Sequence, residues 1–65
     1  MQIIVNGVGQ KLRATTLAQA LDELDYGETV VATALNGRFA AAAGRGSIVL
    51  ANGDILEILA PMQGG

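Results

Sequence analysis

Three Asn-Gly dipeptides, Asn6-Gly7, Asn36-Gly37 and Asn52-Gly53, divide this 65-residue chain into short segments. Asn-Gly is a favoured central pair of the type I′ turn, because both positions need a positive φ that most residues resist. Turns of this kind join antiparallel strands, so a chain punctuated this way favours short strands and tight reversals. Before the first pair the residues alternate: Ile3 and Val5 point one way, Gln2, Ile4 and Asn6 the other. After it, Val8, Gln10, Leu12 and Ala14 share one face, and Gly9, Lys11 and Arg13 the other. The two segments, Gln2–Asn6 and Val8–Ala14, read as a β-hairpin.

The period then changes. Thr16 followed by Gln19 fits a capping box, in which the hydroxyl and the side-chain amide each satisfy a backbone N–H of the first turn. Leu17, Ala20, Leu21 and Leu24 follow at i, i+3, i+4 and i+7, one apolar stripe of a helix expected over about 16–25. Asp22, Glu23 and Asp25 fall on its solvated side, and Gly27 is suited to the left-handed conformation that ends a helix. Val30–Leu35 is a short β-branched apolar run, expected as a central strand. Asn36-Gly37 turns the chain into Arg38-Phe39. Ala40–Ala43 has helix-forming composition but is too short to nucleate a helix alone. Gly44-Arg45-Gly46 reads as a loop and Ser47–Leu50 as a short strand. Beyond Asn52-Gly53, where Asp54 is expected to close the turn, Asp54–Leu59 alternates, with Leu56 and Ile58 against Ile55, Glu57 and Leu59.

One helix can cover only one face of the resulting sheet. With the helix as crossover, the first and last strands lie side by side and parallel in the middle. The expected class is α+β: a β-grasp domain over residues 1–60, a mixed sheet of four to five strands with one helix on one face, followed by a flexible tail over 61–65. The chain contains no cysteine and no histidine, which excludes disulfides, zinc–thiolate sites and the commonest general base. Its net charge of -2 opposes nucleic-acid binding. So small a core leaves no room for an enclosed cofactor cavity. Neither Gly7-Val8-Gly9 nor Gly44-Arg45-Gly46 continues into a dinucleotide- or phosphate-binding motif. Arg38 and Arg45 are candidate partner contacts at most. With no leader or spanning segment in view, the expected location is the cytoplasm.

Glycine makes up 9 of 65 residues, so two adjacent closing glycines arise by chance in only about 2 % of such compositions. Gly64-Gly65 carries no Cβ and can thread a channel too narrow for any side chain. From Pro61 onward the chain can reach roughly 15 Å. The carboxylate of Gly65 is a poor electrophile, but an acyl-adenylate formed there by another enzyme would be open to a sulfur or amine nucleophile.

Met1-Gln2-Ile3-Ile4-Val5 and Gly64-Gly65 are similar to ubiquitin. The short length, Ala34-Leu35-Asn36-Gly37, the Gly53-Asp54-x-x-Glu57-Ile58 pattern and Pro61-Met62-Gln63-Gly64-Gly65 resemble more closely the ThiS family, the sulfur carriers of thiamine biosynthesis. The resemblance covers essentially the whole chain and is most specific over its last thirteen residues. It implies a protein co-substrate, not an enzyme, adenylated at Gly65 by a ThiF-type adenylyltransferase using ATP and magnesium. A cysteine desulfurase relay would then supply sulfur to form a thiocarboxylate, and ThiG thiazole synthase would take that sulfur for the thiazole ring. Carried onto this chain, Gly65 bears the modification, while Gly64, Gln63, Met62 and Pro61 line the partner's channel; the chain itself holds no cofactor. Where relatives often have proline and a polar residue after the phenylalanine, Ala40–Ala43 offers no polar contact. Two other readings stay open: the small subunit of molybdopterin synthase, and a ubiquitin-like modifier or interaction module.

If Leu56 and Ile58 face the helix, Ile55 and Leu59 face outward, with Ile4 beside them on the neighbouring strand. These three are expected to form an apolar docking patch on the bare face of the sheet.

Overall fold

The computed structural model describes residues 1–60. The hairpin expected at Asn6-Gly7 forms, and Asn36-Gly37 joins a second pair whose outer strand was not expected. β1 (Gln2–Val5) and β2 (Val8–Lys11) make an antiparallel hairpin, and β3 (Ala32–Leu35) and β4 (Arg38–Ala40) make a second. In both turns the Asn-Gly pair is left-handed at each residue, with φ of 50° and 82° at Asn6-Gly7 and 51° and 81° at Asn36-Gly37. The third pair differs. Only Gly53 has a positive φ, and the turn closes from the Asp54 N–H to the Ala51 carbonyl, with an Asp54 carboxylate oxygen accepting from the Ala51 N–H. β5 (Ile55–Leu59) lies at the centre of a five-stranded sheet of order β2-β1-β5-β3-β4, parallel to β1 and antiparallel to β3.

The helix α1 (Leu17–Glu23) starts at the capping box: Gln19 N–H donates to Thr16 Oγ1 at 3.2 Å, and Thr16 N–H donates to Gln19 Oε1 at 3.3 Å. Leu17, Ala20 and Leu21 are buried against Ile3, Val5, Leu12, Leu56 and Ile58 in one core cluster. Its C-terminal end departs from the expectation. The left-handed residue is Asp25 (φ 72°), not Gly27. The Tyr26 N–H reaches the Leu21 carbonyl at 2.7 Å and the Asp25 N–H the Asp22 carbonyl at 3.1 Å, the two bonds of a Schellman motif. Gly27 lies beside the Asp22 carboxylate, which would have to turn aside for a Cβ there.

Residues 30–50 hold the other corrections. The expected strand Val30–Leu35 begins only at Ala32, with Val30 outside it and exposed, and it is an interior strand rather than the central one. The short strand of the sheet is Arg38–Ala40, not Ser47–Leu50. The latter segment instead bonds to the lead-in of the helix, through Leu17 N–H to the Ile48 carbonyl and Leu50 N–H to the Thr15 carbonyl. The stretch Ala42–Ser47, which contains the expected loop Gly44-Arg45-Gly46, winds into a 3₁₀ helix. Arg45 is not a free partner contact. Its Nε donates to Thr33 Oγ1 at 3.1 Å and its Nη2 to the Val31 carbonyl at 2.7 Å, clasping the 3₁₀ helix to the start of β3. Thr33, the one buried polar residue among those described, is thereby satisfied, since its hydroxyl also donates to the Ala40 carbonyl at 2.8 Å.

Candidate functional site: the bare sheet face and the end of the central strand

Alternation along β5 decides which side chains reach each face. Leu56 and Ile58 enter the core, and Ile55, Glu57 and Leu59 point away from the helix. The parallel register sets Ile4 beside Ile55. The expected trio is therefore exposed together on the bare face, Ile4 at 38 %, Ile55 at 47 % and Leu59 at 70 %. One residue of this face escaped the sequence reading. Phe39 is 76 % exposed and pairs with Ala34, which pairs in turn with Glu57. The signal was present: a two-residue turn at Asn36-Gly37 fixes Ala34 opposite Phe39, so both share a face. Four large apolar side chains on three strands of one face exceed the scattered exposure that is ordinary for a surface.

At its far end β5 leads to Leu59 and Ala60, where an apolar depression of about 340 Å³ is lined by Val30, Val31, Ala32, Leu59 and Ala60. The expected site residues Pro61, Met62, Gln63, Gly64 and Gly65 follow directly in the sequence and lie outside the described residues, as does the expected tail boundary at 61. Among the described residues there is no group of three or more acidic side chains able to hold a metal ion, and no helix long and apolar enough to cross a membrane.

A third feature was not legible before the structure. Each Asn-Gly pair uses its asparagine side chain to tie a neighbouring segment. Asn52 Oδ1 accepts from the Gln2 N–H at 2.8 Å. Asn36 Oδ1 accepts from the Ile55 N–H at 2.9 Å, and its Nδ2 donates to Asp54 Oδ1 at 3.0 Å. Asn6 Oδ1 accepts from the Ile58 N–H at 2.8 Å, and its Nδ2 donates to the Ile58 carbonyl at 3.1 Å.

A mixed five-stranded sheet grasping one helix, with parallel first and last strands at its middle, defines a β-grasp protein of the ubiquitin-like kind. The model of the ThiS family matches residues 3–65, and the chain belongs to that family. Among solved structures it is similar to the crystal structure of a thiamine biosynthesis protein (ThiS) from Geobacter metallireducens, with a TM-score of 0.83, 25 % sequence identity and all of both chains covered. None of the curated proteins matches it.

Proposed function

We propose that this chain is a sulfur carrier of thiamine biosynthesis that bears its cargo as a thiocarboxylate on Gly65. The observation that carries the reading is the family match extending through residue 65, which takes in the Gly64-Gly65 pair. In this reading an oxygen of the Gly65 carboxylate attacks the α-phosphorus of ATP in a ThiF-type adenylyltransferase, forming the acyl-adenylate and releasing pyrophosphate. The persulfide of a cysteine desulfurase relay then adds to the acyl carbon and AMP leaves; a thiol reduces the resulting acyl disulfide, forming a new disulfide with the relay cysteine and releasing the thiocarboxylate. ThiG thiazole synthase is the acceptor of the sulfur. ATP and magnesium are bound by the adenylyltransferase, and this chain contributes an unhindered terminus and a surface to hold it by.

That surface is the bare face around Ile4, Ile55 and Leu59. An aspartate pair at Ile4 and Leu59 would desolvate two charges on docking without disturbing the core, because both side chains point away from the helix. The test is pyrophosphate release by a ThiF-type adenylyltransferase at varied carrier concentration. The double variant Ile4→Asp/Leu59→Asp should keep its fold and lose at least about tenfold in kcat/KM, mainly through KM. Unchanged kinetics in a folded variant would remove the docking role from this face.

A further inference from the structure

β1 stops short of the end of β5. The last residues in register are Val5 and Leu56, and the Asn6 N–H still donates to the Leu56 carbonyl at 2.9 Å before Asn6-Gly7 turns the chain away. Two residues of β5 extend beyond Glu57, and on the β3 side both keep a partner, Ile58 with Thr33 and Leu59 with Ala32. On the β1 side, among the described residues, Ile58 is held by the Asn6 carboxamide alone, which accepts from its N–H and donates to its carbonyl. A carboxamide has the donor and acceptor of a peptide unit. That of Asn6 therefore does for Ile58 what one further peptide of β1 would have done. The positive φ of Asn6 (50°) is what lets one residue both begin the turn and aim its side chain along the strand it leaves.

We infer that Asn6 is a positioning residue for the C-terminal segment, fixing the point at which the chain leaves the sheet. The inference rests on the carrier reading above for its consequence, not for its geometry. Without the carboxamide, the Ile58 N–H and carbonyl lose their partners, the end of β5 is held by the β3 pairing of its neighbours alone, and it can fray back toward Glu57. Each residue released adds up to ~3.3 Å to the tether that presents Gly65. The anchor from which the terminus is aimed at the α-phosphorus then becomes less defined, and orientation is worth a large share of a group-transfer rate.

The molecule contains its own control. Asn36 occupies the same position of the same turn type, with the same φ, and also makes two side-chain hydrogen bonds, but at the beginning of β5. Asn6→Gly and Asn36→Gly keep the left-handed backbone and remove comparable bonding at opposite ends of one strand. Amide exchange should lose protection at Ile58 in Asn6→Gly and not in Asn36→Gly. Pyrophosphate release by a ThiF-type adenylyltransferase, measured where both variants are fully folded, should show kcat reduced about tenfold in Asn6→Gly with most of KM retained, and within about twofold of the unaltered chain in Asn36→Gly. Equal kcat for the two variants, with the unaltered chain active, overturns the inference alone. No pyrophosphate from the unaltered chain overturns the carrier reading, and the inference with it.

Discussion

Removal of Gly64 and Gly65 is expected to bring adenylation and sulfur loading to zero while leaving thermal unfolding where it was. The second half of that expectation follows from the core. Among the described residues, each of the twelve buried apolar side chains lies between Ile3 and Ile58, and the last register pair of β5 joins Leu59 to Ala32. Truncation after Gln63 removes no buried side chain and no strand pairing among the described residues. The first half follows from chemistry: the deletion replaces a carboxylate whose α-carbon bears no side chain by that of glutamine, whose side chain stands beside the reacting carbon. A milder variant separates access from the chemistry itself. Gly64→Val keeps the terminal glycine but sets a β-branched side chain in the segment proposed to thread the partner's channel, and a loss on the order of 10²-fold in kcat/KM is expected. Melting temperature by circular dichroism and pyrophosphate release, measured on the same samples, check both halves. Full activation of the truncated chain would mean that its terminus is not the reacting group.

The second large effect lies in the core. Leu56 is completely buried, flanked by Val5 on β1 and Leu35 on β3. Leu56→Ala costs ~2–5 kcal/mol through lost burial and the cavity left behind. A domain of this size draws only ~3–5 kcal/mol from a single core. The substitution is therefore expected to leave the chain largely unfolded at 37 °C. Three residues along the same strand and on its opposite face, Leu59→Ala removes a side chain that is mostly exposed and should cost no more than about 0.5 kcal/mol. Chemical denaturation of the pair, followed by circular dichroism, reads the contrast. A Leu56→Ala chain with a cooperative transition close to that of the unaltered protein would contradict the assignment of β5 as the centre of the core.

The hairpin at Asn6-Gly7, the turn at Asn36-Gly37, the capping box at Thr16 and the inward alternation of Leu56 and Ile58 were legible because each is written locally, in turn residues, caps and period. The errors share a physical cause. Between Val30 and Leu50 the sequence gives weak or competing local signals, and tertiary bonds decide. Ala40 ends a strand because Asn36-Gly37 returns the chain along β3, although the alanine run after it has helical composition. Ser47–Leu50 has the look of a strand but finds its partner in the helix lead-in. The helix ends at Glu23, with Asp25 rather than Gly27 as the left-handed residue beyond it, because the Schellman bonds close there. Arg45 read as a candidate partner contact, but the Val31 carbonyl and Thr33 hydroxyl take it up.

The candidate site divides in the same way. The trio Ile4, Ile55 and Leu59 followed from period and strand adjacency, while Phe39 needed the register across the second turn. The carboxamides of Asn6, Asn36 and Asn52 were legible as turn formers only. Their second task, tying strands 18 to 52 residues away in sequence, depends on contacts that no local pattern contains.

Intact mass tests the central claim most directly. The purified chain is incubated with a ThiF-type adenylyltransferase, ATP, magnesium and a sulfide source, and its mass is compared with that of a sample lacking ATP. The account predicts an ATP-dependent gain equal to the exchange of one oxygen for one sulfur, localised by fragmentation to Gly65. An unchanged mass, or a mass showing attachment of the chain to lysine side chains of another protein, would contradict it.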